Sequence, residues 1–423
     1  MATRPRVVIV GGGFAGLWAA RALASAPVEI VLVDRGNHHL FQPLLYQVAT
    51  AGLSAPDIAA PLRHILRRQK NVEVRMATVT GIDPGARRVA LDDGGALAFD
   101  FLLVASGATH AYFGNEHWAR HAPGLKTLDD ALDLRRKLLL AFERAEAATD
   151  PAERQAWLSF AIVGGGPTGV ELAGTLAEIA RHTLKNEFRN IDPSTARVRL
   201  VEAGPRVLAA FPEALSEKAR RQLERLGVEV SLGTPVKDIT ADGYALGDAF
   251  VPAKTVVWAA GVAASPLGAM PGVPLDRAGR VQVRPDLGVP GHPDIFVAGD
   301  LAALARADGR PVPGVAPAAK QMGRYVAQVI RARLAGRVLP PPFAYKDYGN
   351  LATIGRMAAV VDLGTLRFSG LLAWWFWLVM HVFFLIGFRN RLVVLLNWWW
   401  AYWSYQRGAR IILGEGRDRP AAE

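Results

Sequence analysis

The apolar positions of this chain follow three regimes. Up to about residue 115, short apolar blocks alternate with helical patterns: Val7 to Val10, then Glu29-Ile30-Val31-Leu32-Val33, then Phe101-Leu102-Leu103-Val104. Blocks this short, bounded by glycine and polar residues, predict buried strands, and the helical stretches between them predict a parallel sheet. The rhythm restarts near 158 with Ala161-Ile162-Val163, Val198-Arg199-Leu200-Val201 and Val256-Val257-Trp258. Between the two, Leu132, Leu138, Leu139 and Phe142 form an apolar stripe that predicts a linking helix over about 128–148. Residues 281–335 read as strand, loop and helix and are returned to the first domain. A proline cluster at 340–342 marks a boundary.

The third regime begins at Leu371. From there to Phe388 the only titratable side chain is His381. As one helix this run would be about 27 Å long, close to the thickness of a bilayer core. Leu392 to Gln406 then carries Trp398, Trp399, Trp400, Tyr402, Trp403 and Tyr405, flanked by Arg389, Arg391, Arg407 and Arg410. Tryptophan and tyrosine favour the headgroup level because each joins an apolar ring to a polar handle. The pattern predicts membrane contact, either across the bilayer or within one leaflet. A buried hairpin or a dimer interface is the alternative.

The turns after two of the strands carry the chemistry. Val10 runs into Gly11-Gly12-Gly13-Phe14-Ala15-Gly16, and Val163 into Gly164-Gly165-Gly166-Pro167-Thr168-Gly169. Strand, glycine turn and helix together let a backbone approach a pyrophosphate that rests on the helix N-terminus. Each unit then needs an acid at the end of its next strand to hold ribose hydroxyls. Asp34 and Glu202 occupy those places, though either could be a solvated turn carboxylate. Two dinucleotides in one chain imply electron traffic between them. A later strand, Ile295-Phe296-Val297, delivers Ala298-Gly299-Asp300 at its carboxyl end. Asp300 there could accept from a ribityl chain or cap the following helix.

Composition narrows the chemistry. The 423 residues include no cysteine, which excludes a redox dithiol, a thiolate beside a flavin, cysteine-held clusters and disulfides. No metal site is expected. The net charge of +11 fits attraction to anionic lipid better than nucleic acid, since no basic run is interleaved with aromatics in a known nucleic-acid module. Residues 1–6 lead straight into the first strand without a signal-peptide pattern, so the catalytic body is expected on the cytoplasmic face of the cell membrane.

The order GGGFAG, ASGA, GGGPTGVE, WAAG and VAGD resembles the two-dinucleotide flavoprotein disulfide reductase superfamily. Three features resemble one branch, the type II, non-proton-pumping NADH:quinone oxidoreductases: His38-His39-Leu40-Phe41-Gln42-Pro43-Leu44-Leu45-Tyr46-Gln47-Val48-Ala49, the Gly169-Val170-Glu171 extension, and the C-terminus with Leu385-Ile386-Gly387-Phe388-Arg389-Asn390-Arg391. The resemblance covers essentially the whole chain. It implies an α/β protein with two Rossmann-like domains and a C-terminal hydrophobic helical membrane-associated region. The FAD domain would be 1–115 with 281–335, the NADH domain 116–280, and the membrane region 336–423.

The resemblance also implies roles. Gly11, Gly13, Phe14, Ala15, Gly16 and Asp34 would hold non-covalent FAD, with Gln42, Pro43, Leu44 and Gln47 lining the flavin. Ser106, Gly107, Gly299 and Asp300 would complete that site. Gly164, Gly166, Gly169, Glu202 and Gly261 would hold NADH. Glu171 would approach the flavin ring and nicotinamide, or simply be a carboxylate favoured at a helix N-terminus. Relatives often carry Ala-Gln-x-x-x-Gln near the quinone headgroup. Here the stretch is Ala316-Pro317-Ala318-Ala319-Lys320-Gln321, so Gln321 remains and Pro317 offers no amide. The implied partners are ubiquinone or menaquinone, membrane lipid and, as an open alternative, a second copy of the chain. A soluble disulfide reductase and a sulfide:quinone reductase both normally require cysteines. A non-quinone acceptor, or an NADH sensor with incidental turnover, stays as the alternative function.

Overall fold

The computed structural model describes residues 4–412, with only the backbone of Phe388. Two compact units emerge. The first runs to Leu40, then takes Ala59–Thr109 and Val262–Tyr348; the second holds Phe41–Ile58, His110–Gly261 and the chain from Gly349 onward.

In the first unit, Arg6–Val10 lies at the centre of a six-stranded sheet, between Glu29–Asp34 and Phe101–Val104, with Val72–Met76 beyond one and His292–Val297 beyond the other. These pairings are parallel, Val7 facing both Ile30 and Phe101. Strands covered on both faces need unbroken apolar runs, and Val7, Val8 and Ile9 are fully buried. The strand order reverses at Arg6–Val10, which places a ligand crevice at its carboxyl end. Helix Ala316–Leu334 packs on the first nucleotide helix, Phe14–Ala22. The approach is close: a Cβ at Gly323 would sit 2.1 Å from the Ala15 carbonyl oxygen.

The second unit repeats the plan with four parallel strands, Val228–Leu232, Arg197–Glu202, Ser159–Val163 and Thr255–Trp258 in that spatial order. The linking helix is Leu128–Ala147, started by a capping box in which Thr127 and Asp130 exchange bonds. A three-stranded antiparallel sheet, Asn350–Gly355, Ala358–Asp362 and Arg367–Ser369, packs against the second nucleotide helix, Pro167–Glu178. Gly174 makes that contact: a Cβ there would lie 1.6 Å from the Ile354 carbonyl oxygen.

The C-terminal apolar run departs from expectation. The helix begins at Leu371 but ends at Phe384, and a second helix covers Phe388–Ser404. The break has a backbone cause: Leu385 turns extended and Gly387 takes φ 93°, a conformation that favours glycine. The first helix, at 14 residues, is therefore about 21 Å long. No helix among the described residues is long and apolar enough to cross a membrane. Each helix buries a narrow face, Ala373, Trp377 and Leu378 on one and Val394 on the other. Leu372, Trp375, Phe383, Trp399, Trp400 and Trp403 remain exposed.

Candidate functional site

The first glycine loop is built for close backbone approach. Gly11 has φ 105°, and a Cβ there would lie 2.3 Å from the Ala105 carbonyl oxygen; one at Gly16 would lie 1.9 Å from the Gly11 carbonyl oxygen. Gly13 faces open space, and no side chain caps the helix that starts after it. Free helical N–H groups over open space fit a pyrophosphate. Asp34 braces the loop, accepting from the Gly12 N–H at 2.6 Å and the Gly36 N–H at 2.7 Å. Ser106 Oγ, beside the loop, is buried with no partner among the described residues, which fits a polar cofactor. Gly107 and Gly299 take φ 70° and 77°. Asp300 lies within a short turn of 3₁₀ helix, Gly299–Leu301, and does not cap it.

His39, which carried no assigned role in the sequence, proves to be a second brace. Its Nδ1 lies 2.9 Å from the Gly12 carbonyl oxygen, so Nδ1 donates. Burial lowers its pKa to about 4, which keeps the ring neutral. The edge-on rings of Phe14 and His39 are 5.0 Å apart. In the same unit Pro317 occupies the first turn of its helix, where a missing N–H costs nothing. Gln321 donates to the Lys346 carbonyl and accepts from the Lys346 N–H, both at 2.9 Å. Any bond from Gln321 to a quinone must displace that brace.

The second unit repeats the first. Gly164 has φ 115°, a Cβ at Gly169 would lie 1.9 Å from the Gly164 carbonyl oxygen, and Gly166 faces open space. Glu202 accepts from the Gly165 and Gly204 N–H groups, each at 2.6 Å. Gly261 lies just beyond the adjacent strand, packed under the exposed ring of Phe113. The structure thus gathers Gly11, Asp34, Ser106 and Asp300 at the carboxyl ends of one sheet, and Gly164, Glu202 and Gly261 at those of the other.

Gln42, Pro43, Leu44 and Gln47 belong to the second unit. Gln42 donates to the Lys126 carbonyl at 3.0 Å, Pro43 sits in a 3₁₀ turn, and Leu44 is fully buried. Gln47 donates to the Tyr46 hydroxyl at 2.9 Å and accepts from Trp398 Nε1 at 2.7 Å. Glu171 is buried in the second turn of its helix, not at the terminus. Burial pushes its carboxyl well above the usual range, against a bond accepted from the Thr353 N–H, which favours the protonated form. Burial raises Tyr46 as well.

Tyr46 and Gln47 open onto a cavity of about 120 Å³, several times the ~10–15 Å³ that one water needs. Its walls are aromatic, with Trp374, Trp377, Trp398, Tyr402 and Tyr405, and its charged groups are Glu178, Arg356 and Arg407. Among the described residues no group of three or more His, Asp or Glu side chains could hold a metal.

The pyridine nucleotide-disulphide oxidoreductase family model matches residues 5–323, and the NDH2 C-terminal domain model matches 348–402. A type II NADH:quinone oxidoreductase of Mycobacterium tuberculosis is 48% identical over 419 residues, covering 96% of this chain and 89% of that one. This chain belongs to the type II NADH:quinone oxidoreductase family. Two solved structures share the fold. NDH2 from Plasmodium falciparum in complex with NADH has a TM-score of 0.88 at 19% identity, covering 97% of this chain and 100% of that one. The sulfide:quinone oxidoreductase from Aquifex aeolicus has a TM-score of 0.74 at 20% identity, covering 92% of each.

Proposed function

We propose that this chain oxidises NADH and passes two electrons through non-covalent FAD to a membrane quinone, without pumping protons. The observation that carries this is the pair of acid-braced glycine loops in a chain whose remaining length matches the NDH2 C-terminal domain. The unit built on the first loop holds FAD through Gly11, Gly13, Gly16 and Asp34, with Phe14, Ala15, Ser106, Gly107, Gly299 and Asp300 around it. Gln42, Pro43, Leu44 and Gln47 line the flavin. Bound FAD supplies the chemistry, accepting a hydride equivalent and giving up two electrons.

Gly164, Gly166 and Gly169 seat the NADH pyrophosphate, Glu202 takes the ribose hydroxyls, and Gly261 stands at the neighbouring strand end on the cofactor's side. Placement and exclusion of water are the protein's contribution to hydride transfer. Glu171, whose burial favours its protonated form, stands near the nicotinamide side of the second unit. The aromatic cavity beside Tyr46 and Gln47 receives the quinone ring.

The exposed faces of helices Leu371–Phe384 and Phe388–Ser404 rest in one leaflet on the cytoplasmic side. Their large apolar and indole side chains supply interfacial area, and Arg389, Arg391 and Arg410 meet anionic headgroups at about 1 kcal/mol each. A dimer through the same faces is the competing use of that surface. The test is purified enzyme in sealed vesicles with a long-chain quinone and an internal pH-sensitive dye. NADH should be consumed with no transmembrane pH change that an uncoupler abolishes. An uncoupler-sensitive pH gradient, or no quinone reduction, would overturn the proposal.

A further inference from the structure

The charges around the aromatic cavity do not balance. Glu178 accepts the backbone N–H of Arg356 with one oxygen and pairs with Arg407 through the other, at 3.4 Å. Arg407 also reaches the Thr50 carbonyl at 3.3 Å. One carboxylate thus faces two guanidiniums, Arg407 in the pair and Arg356 through its charge, so among the described residues of the wall one positive charge is left over. The place of Arg356 is fixed from two sides. The backbone is held in the turn between strands Asn350–Gly355 and Ala358–Asp362, and the guanidinium carbon lies 4.3 Å from the centre of the Tyr402 ring and 4.0 Å from that of Tyr405.

Stacking on two rings satisfies the guanidinium's face and does not use its N–H groups. Arg356 Nη1 is buried and has no partner among the described residues. An unpartnered buried donor on a cation that shares its carboxylate with a second cation is unfavourable, and the group that relieves it is an oxygen bearing negative charge. Trp374, Trp377 and Trp398 in the same wall offer flat apolar surfaces, so the oxygen should be carried by a ring.

We infer that Arg356 makes this cavity selective for a quinone-type ring bearing an oxyanion. Two ligands have that chemistry: a deprotonated hydroxyquinone, and the singly deprotonated quinol formed when a quinone takes up two electrons and one proton. A second proton then gives the neutral quinol, which loses the Arg356 interaction and is free to leave. The electrons come from NADH through the enzyme's own reaction, so no further reductant is needed. The inference rests on the quinone reading of the cavity and adds a specificity to it: Arg356 acts on bound ring charge, not on NADH.

The experiment compares a hydroxynaphthoquinone, anionic at neutral pH, with its neutral methyl ether. Both are titrated into flavin-loaded enzyme while tryptophan fluorescence is followed. The wild type should bind the anion at least about tenfold tighter, the scale of a charge-assisted bond. That preference should vanish when pH falls below the ligand's own acid constant. Arg356→Met should bring the two ligands within about twofold, and Arg356→Lys should recover part of the difference. NADH reduction of the flavin should be unchanged in both variants. A wild type without preference for the anion, or Arg356→Met that keeps it, overturns the inference. The wild-type comparison decides the matter even if a variant fails to fold. Steady-state reduction of a short-chain ubiquinone, run alongside, tests the quinone reading separately: turnover without anion preference leaves that reading standing and removes only the role of Arg356.

Discussion

Glu202→Gln is the sharpest perturbation of the nucleotide site. Both carboxylate oxygens are already engaged on the glycine loop, each accepting a backbone N–H at 2.6 Å. Glutamine keeps the shape but has one acceptor. Its NH₂ must therefore face the N–H of either Gly165 or Gly204, so one charge-assisted bond is lost and a donor meets a donor. A hydrogen bond to a charged group contributes about 1.5–3 kcal/mol, and every 1.4 kcal/mol is about tenfold. The site is part-buried, so the lower half of that range applies, and kcat/KM for NADH should fall about tenfold or somewhat more. NADPH loses the same loop brace but gains relief from repulsion between the Glu202 carboxylate and its 2′-phosphate. NADH alone also loses a charge-assisted bond from its 2′-hydroxyl, about 1.5 kcal/mol, so the NADH:NADPH ratio of kcat/KM should shrink about tenfold. Arg206 does not cancel this, since it is turned to the Ala209 carbonyl at 3.1 Å. The assay is anaerobic flavin reduction with each nucleotide in wild type and variant. A large loss with both nucleotides and an unchanged ratio would leave Glu202 as a loop brace and remove it from the ribose.

Asp34→Asn attacks the matching acid of the first loop and should lower the flavin:protein ratio of purified enzyme while leaving tryptophan fluorescence native; full flavin content would remove Asp34 from cofactor binding. Gln321→Ala should slow flavin reoxidation by quinone and spare reduction by NADH; equal slowing of both phases would reduce Gln321 to its brace on Lys346. Arg407→Met strands Glu178, and breaking a buried pair costs about 3–5 kcal/mol. Burial already raises the Glu178 pKa and lowers that of Arg407, so desolvation outweighs pairing in both partners. A carboxyl raised further in the folded variant is tolerated while protonated and destabilises as pH rises past its ordinary range. The Tm deficit of Arg407→Met should therefore widen between about pH 5 and pH 8, and a constant deficit would contradict the assignment. Trp399→Glu with Trp403→Glu, both on the exposed face, should abolish co-sedimentation with anionic vesicles and keep NADH turnover with a soluble acceptor. Undiminished pelleting would assign that face to packing between copies.

The nucleotide units were legible because their signals are local. A strand, three glycines and a helix lie within about ten residues, and each acid stands at a strand end. What each acid does was less legible, because the bonds from Asp34 to Gly12 and from Glu202 to Gly165 depend on how two turns meet. The aromatic cavity was illegible for the same reason in stronger form: Arg407 meets Glu178 across 229 positions, and Trp398 meets Gln47 across 351. Burial of Tyr46, Glu171 and Glu178 leaves no mark in a local pattern. His39 stands in the stretch His38 to Ala49, which carries no sign that its ring would hold the Gly12 carbonyl. Hydropathy recognised the C-terminal run and misjudged its continuity, since a window average passes over one glycine. The backbone does not, and Gly387 at positive φ splits the run into two short helices.

Anaerobic double-mixing stopped flow tests the central claim most directly. NADH is mixed first with the flavin-loaded enzyme, and a quinone analogue, ubiquinone-type or menaquinone-type, is added once the flavin absorbance has bleached. One equivalent of NADH should bleach the flavin fully, and quinone should then restore its absorbance completely with one quinol formed per NADH consumed. Bleaching by NADH that no quinone reverses faster than buffer alone would contradict that claim, and would leave a flavoprotein that takes electrons from NADH but delivers them elsewhere.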